Sequence, residues 1–573
     1  MVILSGCVFH LIEGRRPWDR KIAVKIAEGR RLSVEDHVTV GLWWGALVNA
    51  VIAAGLAGTV PFWLSQGRLP HPKPSPARPF DPWKFHLPVF GAMAASVLLG
   101  VPRLELSLWG DEEQAMRQNI VGEWQPDESG REVFRRVPLV RNLWNYQLPN
   151  NHFLFTLQAR LLHDLRSLTA SPGALPYDEA TLRLPAFAAG VAAIGALAAM
   201  MRHFGFGLGG IVAAWFLALH PWHLKYATEA RGYSLVLLFA PLGLVFLSKA
   251  LREGLWKWWA LHAACQLLLL YAYPGALFLS VTQNLCAMGA LLFRQPERAV
   301  RFQLLGRWVV SGLCAGMVAV LLLAPVVPQL FAYLERDRAR GAMGWDWALN
   351  FFGHLIGGMA WAPWDAGNPL CQSISGLAAS SPWKLWLLAA GIPVLFLIGL
   401  WSWMRRGGVT ALLGVALLTA APLGFLHAKL SGNLLYVWYL IYALPAVGAF
   451  VGAAFELPRP ARRPWLPRSG PGSALAAALF LIAFGVATAG QRHTLRNHPV
   501  EPQRESVLAT RPSLDPNDPR NRHVLTAEIV FTTPTYDPRA VRVREVAELD
   551  SLMRQADAGG LPLFVNFEVS SDL

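Results

Sequence analysis

About a dozen apolar stretches, each near the length an α-helix needs to cross the hydrocarbon of a bilayer, dominate this 573-residue chain. A crossing takes about 20 residues at a rise of about 1.5 Å each. By that test spans are expected over residues 38–64, 86–102, 184–203, 207–227, 233–251, 257–273, 275–293, 308–328, 383–404, 409–427, 434–455 and 472–490. The composition agrees, with 54% hydrophobic and 15% charged residues. A water-soluble protein with that balance would lack the polar side chains to cover itself. Disordered chains are poor in apolar residues, so disorder is excluded too. The five cysteines, Cys7, Cys265, Cys286, Cys314 and Cys371, show neither a disulfide framework nor metal-ligand spacing. The expected fold is an all-α polytopic membrane protein of about 11–12 transmembrane helices.

Around these spans the chain divides into three parts. Residues 1–85 form an N-terminal extension with one extra hydrophobic helix and a basic linker. Residues 86–490 form the transmembrane core, and residues 491–573 a polar tail. In the tail, strand-like runs at 524–531, 540–543 and 561–569 flank a helical stretch at 546–558, which reads as a small α/β domain behind a Pro- and Asp-rich linker at 511–522. No cleavable signal peptide is expected at the N-terminus, because the first twelve residues lack a basic leading region.

The net charge of +14, from 51 Lys and Arg against 37 Asp and Glu, calls for an explanation. Loop cations that orient a membrane protein supply one, and no nucleic-acid partner is needed. With the loop after the second span placed outside, Arg68, Lys73, Arg78 and Lys84, then Arg202, Arg252, Arg294, Arg298, Arg301, Arg307, Arg405, Arg406 and the run from Arg459 to Arg468 all fall inside. The first 37 residues break the pattern. They lie outside by parity and carry Arg15, Arg16, Arg20, Lys21, Lys25, Arg30 and Arg31. Everything long and polar lies on the same outer side: the first loop at 103–183, a Trp-rich loop at 329–382, and the tail.

Four outer stretches could carry chemistry. Asp111, Glu112 and Glu113 follow Trp109-Gly110 just beyond the second span. On a helix, adjacent side chains point about 100° apart, so one or two of the acids should face the bundle. A carboxylate there could act as a general base towards an acceptor hydroxyl or hold a divalent cation; the same acids would also suit a first helical turn. Glu229 and Arg231, with Tyr233, punctuate two apolar helices, and charges in such places are paired or functional. Arg matches phosphate oxygens with its planar fork. Asn151 and His152 open an amphipathic interfacial segment and could bind a sugar hydroxyl or phosphate, or simply cap the helix. Lys429, in a further outer turn, could meet a lipid phosphate or snorkel. The tryptophans at 345, 347, 361, 364 and 383 suit interface anchoring about as well as sugar stacking. There is no nucleotide-phosphate loop or dinucleotide fingerprint. A reaction outside the membrane therefore points to an activated group carried on a lipid.

In this order the motifs resemble those of the C-type glycosyltransferase superfamily of polytopic membrane enzymes. The likeness is to bacterial relatives of protein mannosyltransferases and aminoarabinose transferases that use polyprenyl-phosphate sugars. It rests on Gly110-Asp111-Glu112, on Asn151-His152-Phe153-Leu154, on Leu182-Arg183-Leu184-Pro185-Ala186, and on Pro221-Trp222-His223 through Glu229-Ala230-Arg231-Gly232-Tyr233, over roughly residues 86–455. The chain departs from the pattern at Trp438-Tyr439-Leu440, where relatives commonly show Arg-Tyr; the basic group is then either Lys429 or absent.

The resemblance implies an integral-membrane glycosyltransferase in a bacterial plasma membrane, with its site on the extracytoplasmic side. The sugar donor would be a polyprenyl-phosphate monosaccharide and the acceptor a lipid, glycan or protein hydroxyl. It gives Asp111 first and Glu112 second as catalytic residues, with no certain cofactor; either acid could hold a divalent cation. Arg231, Glu229, Tyr233, His152, Asn151 and Lys429 are the candidate substrate-binding residues. The rival expectations are a transporter or flippase of lipid-linked saccharides, and a non-catalytic scaffold. Transporters place ionisable groups near mid-membrane, whereas here the charged motifs cluster at span ends.

Overall fold

The structure, a computed structural model, describes residues 2–64, 82–171, 174–293, 297–336, 341, 343–362, 372–457, 470–529 and 534–566. The cations Arg68, Lys73, Arg78 and Arg294, the run from Arg459 to Arg468, and Trp364, Asp365 and Cys371 lie outside the described residues.

The chain is an all-α membrane bundle with two small sheets. Eight described helices are long and apolar enough to cross a bilayer: Val34–Trp63, Pro82–Arg103, Glu179–His203, Tyr233–Glu253, Pro274–Phe293, Arg298–Leu323, Pro382–Arg405 and Gly408–Ser431. A ninth crossing is available if Pro471–Ala487 and Ala489–Asn497, bent by 49°, count as one.

The larger expected number is reduced by breaks and by one short helix, since the stretch 257–273 is the unbroken 17-residue helix Trp256–Ala272. The stretch 207–227 is two helices, Gly207–Leu219 and Pro221–Ala227. Pro221 has no N–H to continue the ladder and its ring crowds the preceding turn, while His220 turns its Nδ1 to accept from Trp222 N at 3.2 Å. The first piece, at 13 residues, spans only about 20 Å against a hydrocarbon core of about 30 Å. The stretch 434–455 likewise begins as a 3₁₀ turn, Val437–Ala443, and becomes α-helical only over Leu444–Ala453. The stretch 308–328 ends at Leu323, and a separate helix, Val326–Arg336, follows. A helix that the sequence reading leaves out, Val2–Glu13, packs on Val34–Leu64.

Glycines let helix pairs approach closely. A Cβ on Gly452 would lie 2.3 Å from the carbonyl oxygen of Gly209, and one on Gly209 would lie 2.8 Å from that of Gly452. The absence of side chains there lets the two backbones touch, and Glu456 accepts from Gly209 N across the same crossing at 3.0 Å.

Short connections gather at one end of the bundle. His203 Nε2 lies 3.0 Å from Ser248 Oγ, Arg252 donates to Thr410 Oγ1 at 3.2 Å, and Arg406 donates to Gly205 O at 2.9 Å. Arg202, Arg252 and Arg406 therefore share one end, as the charge pattern required. The first loop and the tail interlock at the other. The loop contains an antiparallel hairpin, β1 (Gly122–Pro126) with β2 (Glu132–Arg136), that the sequence reading did not foresee. The tail forms a parallel sheet in which β3 (Leu525–Glu528) lies between β4 (Val541–Arg542) and β5 (Leu563–Asn566), with the helix Val546–Gly559 on the crossover. This is the expected α/β tail, with shorter strands. The linker is built in rather than free: Arg511 is buried and pairs with Asp537 at 2.7 Å.

Candidate active site

The helix Gly110–Ala115 distributes its three acids in three directions. Glu112 is wholly buried. Arg183 holds it side-on, with Nε 2.9 Å from Oε1 and Nη2 2.5 Å from Oε2. Two backbone amides complete the set, Ala230 N at 2.5 Å and Trp109 N at 3.3 Å. A carboxylate has about four acceptor positions, and all are filled. Arg183 is equally saturated. Nη1 points at the carbonyl oxygens of Arg103, Leu104 and Leu106, and Nη2 also reaches Ser107 O at 3.0 Å. The pair therefore ties four pieces together: the helix Glu179–His203 that carries Arg183, the end of the span Pro82–Arg103, the acidic helix, and the turn before Tyr233. Glu112, the second catalytic candidate from sequence, has its acceptor positions taken by the protein itself.

Asp111 points elsewhere. Its side chain is 35% exposed, and its Oδ2 lies 3.4 Å from Nη2 of Arg231, which is almost fully buried. Arg231 Nη1 also faces Asn150 O at 3.3 Å and Asp111 O at 3.5 Å, while its buried Nε has no hydrogen-bond partner. Burial works against the charge on Arg231, but Asp111 and the neighbouring phenol Tyr233 raise its pKa above the ordinary guanidinium value. The site thus pairs an accessible carboxylate with a permanent, nearly buried cation.

Glu113 turns towards the tail. Thr535 Oγ1 donates to its Oε1 at 2.5 Å and Arg117 Nε lies 2.8 Å away. Tyr536 OH accepts from Leu108 N at 2.9 Å and donates to Glu179 at 3.0 Å; Glu501 accepts from Gly110 N at 2.9 Å. Tail residues therefore grip both flanks of Asp111. The sequence reading assigned them no role, because contacts more than 350 residues apart in the chain leave no local signal.

His152 sits against the same turn. Its Nδ1 is 3.1 Å from Ala272 O, and its ring stacks on Tyr273 at 5.6 Å and meets Tyr233 edge-on at 4.7 Å. Gly232 makes room for it: a Cβ there would lie 2.7 Å from Ala272 O and 2.9 Å from His152 Nδ1. Burial, and then the charge of Arg231, hold the imidazole pKa well below its usual value, so it is neutral at pH 7. A carbonyl can only accept, so Nδ1 carries the proton and Nε2 carries a lone pair.

Asn151 serves the loop. Its Nδ2 donates to Asn142 O and Asn145 O, and its Oδ1 accepts from Thr156 at 2.9 Å. Lys429 is exposed and donates to Met343 O at 3.2 Å, and no contact among the described residues joins it to Arg231. Tyrosines from the later helices close the site instead. Tyr439 lies 5.9 Å ring-to-ring from Tyr273, and Tyr436 packs on Tyr439 at 5.4 Å and stacks on Trp438 at 4.5 Å. Of the loop tryptophans, Trp347 and Trp361 are buried, whereas Trp345 and Trp383 are exposed.

Glu229 is nearly fully buried, and neither of its carboxylate oxygens has a hydrogen-bond donor. Lys225 Nζ is 3.9 Å from Oε1, and the charges of Glu112, Arg103 and Arg231 also reach it. Burial pushes its pKa up from 4.5 to about 7, partly opposed by Lys225. A carboxyl raised on folding favours the protonated form. Its contribution to stability is full below about pH 4.5 and is lost as pH rises through about 7, a gap worth about 3 kcal/mol. Thermal unfolding of wild type and Glu229→Gln should therefore diverge between about pH 5 and pH 7.5, with only the wild type losing stability to this group. Parallel profiles would show that the acid is not held neutral.

Among the described residues no three His, Cys, Asp or Glu side chains converge on one point. A divalent cation at Asp111 would then be held by that one carboxylate, backbone oxygens and the substrate's own phosphate, as oxygen-seeking cations are with phosphate substrates.

No protein-family model matches the chain, and no curated protein does. Among solved structures, it is similar to ArnT from Cupriavidus metallidurans bound to undecaprenyl phosphate, at 14% identity over 84% of this chain and 90% of that one, with a TM-score of 0.43. It is similar to the oligosaccharyltransferase of Archaeoglobus fulgidus tethered with an acceptor peptide, at 11% identity over 82% of this chain and 65% of that one, with a TM-score of 0.41. A third likeness is to the arabinosyltransferase EmbB from Mycobacterium smegmatis, at 12% identity over 79% of this chain and 44% of that one, with a TM-score of 0.40.

Proposed function

We propose that this chain is an integral-membrane glycosyltransferase of the C-type superfamily. It moves a monosaccharide from a polyprenyl-phosphate carrier to an acceptor hydroxyl at the extracytoplasmic face of a bacterial plasma membrane. The observation that carries the reading is the pairing of half-exposed Asp111 with nearly buried Arg231 at the loop end of the bundle.

Asp111 takes the proton of the acceptor hydroxyl, whose oxygen attacks the anomeric carbon. The bond from that carbon to the phosphate oxygen breaks, and the electron pair leaves with the lipid phosphate. Arg231 faces the charge that develops on the leaving phosphate, and a fixed donor is most effective where charge appears only in the transition state. One displacement inverts the anomeric centre. Neutral His152 and the phenol of Tyr233 border Arg231 and can accept from or donate to sugar hydroxyls.

The test is incubation of the purified protein with a panel of radiolabelled polyprenyl-phosphate sugars and membrane acceptors. Label should appear on an acceptor, with polyprenyl phosphate released. Movement of intact lipid-linked sugar across proteoliposomes without any transferred product would favour the flippase instead.

A further inference from the structure

A cavity of about 300 Å³ lies where the N-terminal extension meets the first loop and the helix Val326–Arg336. Arg30, Arg31 and Arg336 line it together with Gln147, Gln329 and Tyr333. We propose that it binds a phosphate-bearing anion, with the headgroup of an anionic lipid as its source.

Three observations converge. First, the cavity is built from fixed walls. Gln147 donates to Leu32 O at 3.1 Å, which fastens the extension to the loop. Gln329 is buried, accepts from Tyr146 N at 2.9 Å, and donates to Trp144 O at 2.8 Å.

Second, the charge there is in excess. Three arginines and no acid line the cavity; of the acids near it in the chain, Glu28 pairs with Arg30 and Asp36 with Lys25 at 2.5 Å, while Glu35 and Glu335 lie outside the lining. Among the described residues Arg31 and Arg336 have no ion-pair partner. These cations sit at the end of the bundle that carries the acids and the long loops, away from Arg202, Arg252 and Arg406. The rule for cation placement in membrane proteins gives no reason for them there. Two unpaired guanidinium forks at one opening match phosphate oxygens.

Third, the opening lies near the ends of spans, where the headgroups of a bilayer are expected. Arg31 immediately precedes the span Val34–Trp63, and Arg336 ends the helix that follows the span Arg298–Leu323. Val327 and Phe331 are exposed on the helix Val326–Arg336, and Ile26, on the helix Arg20–Ala27, is exposed at the cavity's lining, apolar surfaces suited to acyl chains.

The site lies outside the Asp111–Arg231 pair and does not depend on the proposed transfer reaction. The test uses the purified full chain in phosphatidylcholine nanodiscs with increasing phosphatidylglycerol, and counts the lipid retained by native mass spectrometry. Wild type should retain phosphatidylglycerol, and Arg31→Gln with Arg336→Gln should weaken retention about tenfold or more. Arg298→Gln with Arg405→Gln removes the same charge from the opposite end and should leave it unchanged. If the Gln pair fails to fold, Arg31→Lys with Arg336→Lys, which keeps charge but loses the fork, should still weaken retention severalfold. Binding of millimolar inorganic phosphate by wild type, lost in the Arg31/Arg336 pair, with no retention of phosphatidylglycerol, would overturn the lipid as the source. Equal retention by wild type and both Arg31/Arg336 pairs would overturn the site.

Discussion

Asp111→Asn is expected to lower sugar transfer by about 10²–10⁴-fold, the usual contribution of a positioned general base. Some loss of stability should accompany it, because Arg231 is almost fully buried and loses its counter-charge, although the pair is 3.4 Å long and Asp111 is 35% exposed. The loss of transfer per folded molecule should be far larger than the loss of folded protein. The amide keeps the shape and the contact with Arg231 but cannot take the acceptor proton. The effect should fall on kcat more than on KM, because the proton moves only in the transition state. Full activity in well-folded Asp111→Asn would remove the residue from the mechanism.

The second large effect falls on stability. Arg183→Gln leaves the Glu112 carboxylate wholly buried with two of its four donors gone. Breaking a buried ion pair from one side typically costs about 3–5 kcal/mol. The variant should therefore unfold at a much lower temperature, or accumulate poorly. Replacing both partners, as Glu112→Gln with Arg183→Met, removes the stranded charge and should recover part of that loss. A double variant no more stable than Arg183→Gln would mean that the carbonyl oxygens of Arg103, Leu104 and Leu106, orphaned by the lost guanidinium, dominate the damage. Because Asp111 shares the short helix with Glu112, Arg183→Gln should also depress transfer in whatever fraction folds.

These two neighbours show how far the sequence could be read. Three consecutive acids on one helical turn had to point in different directions, and that much follows from the helical period. Which acid faced inward depended on Arg183, 71 residues further along the chain. Nothing local distinguishes Glu112 from Asp111. The Arg183 motif was legible as a motif, yet its role as the partner of Glu112 was not. Lys429 was a reasonable substitute cation by position, but its side chain takes Met343 O, and Tyr439 and Tyr436 come to the site instead. The same limit explains the broken spans. Hydropathy over 207–227 is continuous, and the break at Pro221 interrupts the helix without interrupting the apolar run.

The amino-acid order alone determined that the chain lives in a bilayer, where its cations cluster, that its polar segments gather together, and that an α/β tail follows. Those properties are sums over many residues or repeats of a short period, so single contacts do not alter them. Only the folded bundle decided that Glu112 is locked and Asp111 is open, that Glu229 lacks a donor, and that the tail holds the loop beside Asp111. Each of these turns on whether contacts of about 3 Å form between residues distant in the chain, and that depends on packing that no stretch of sequence contains.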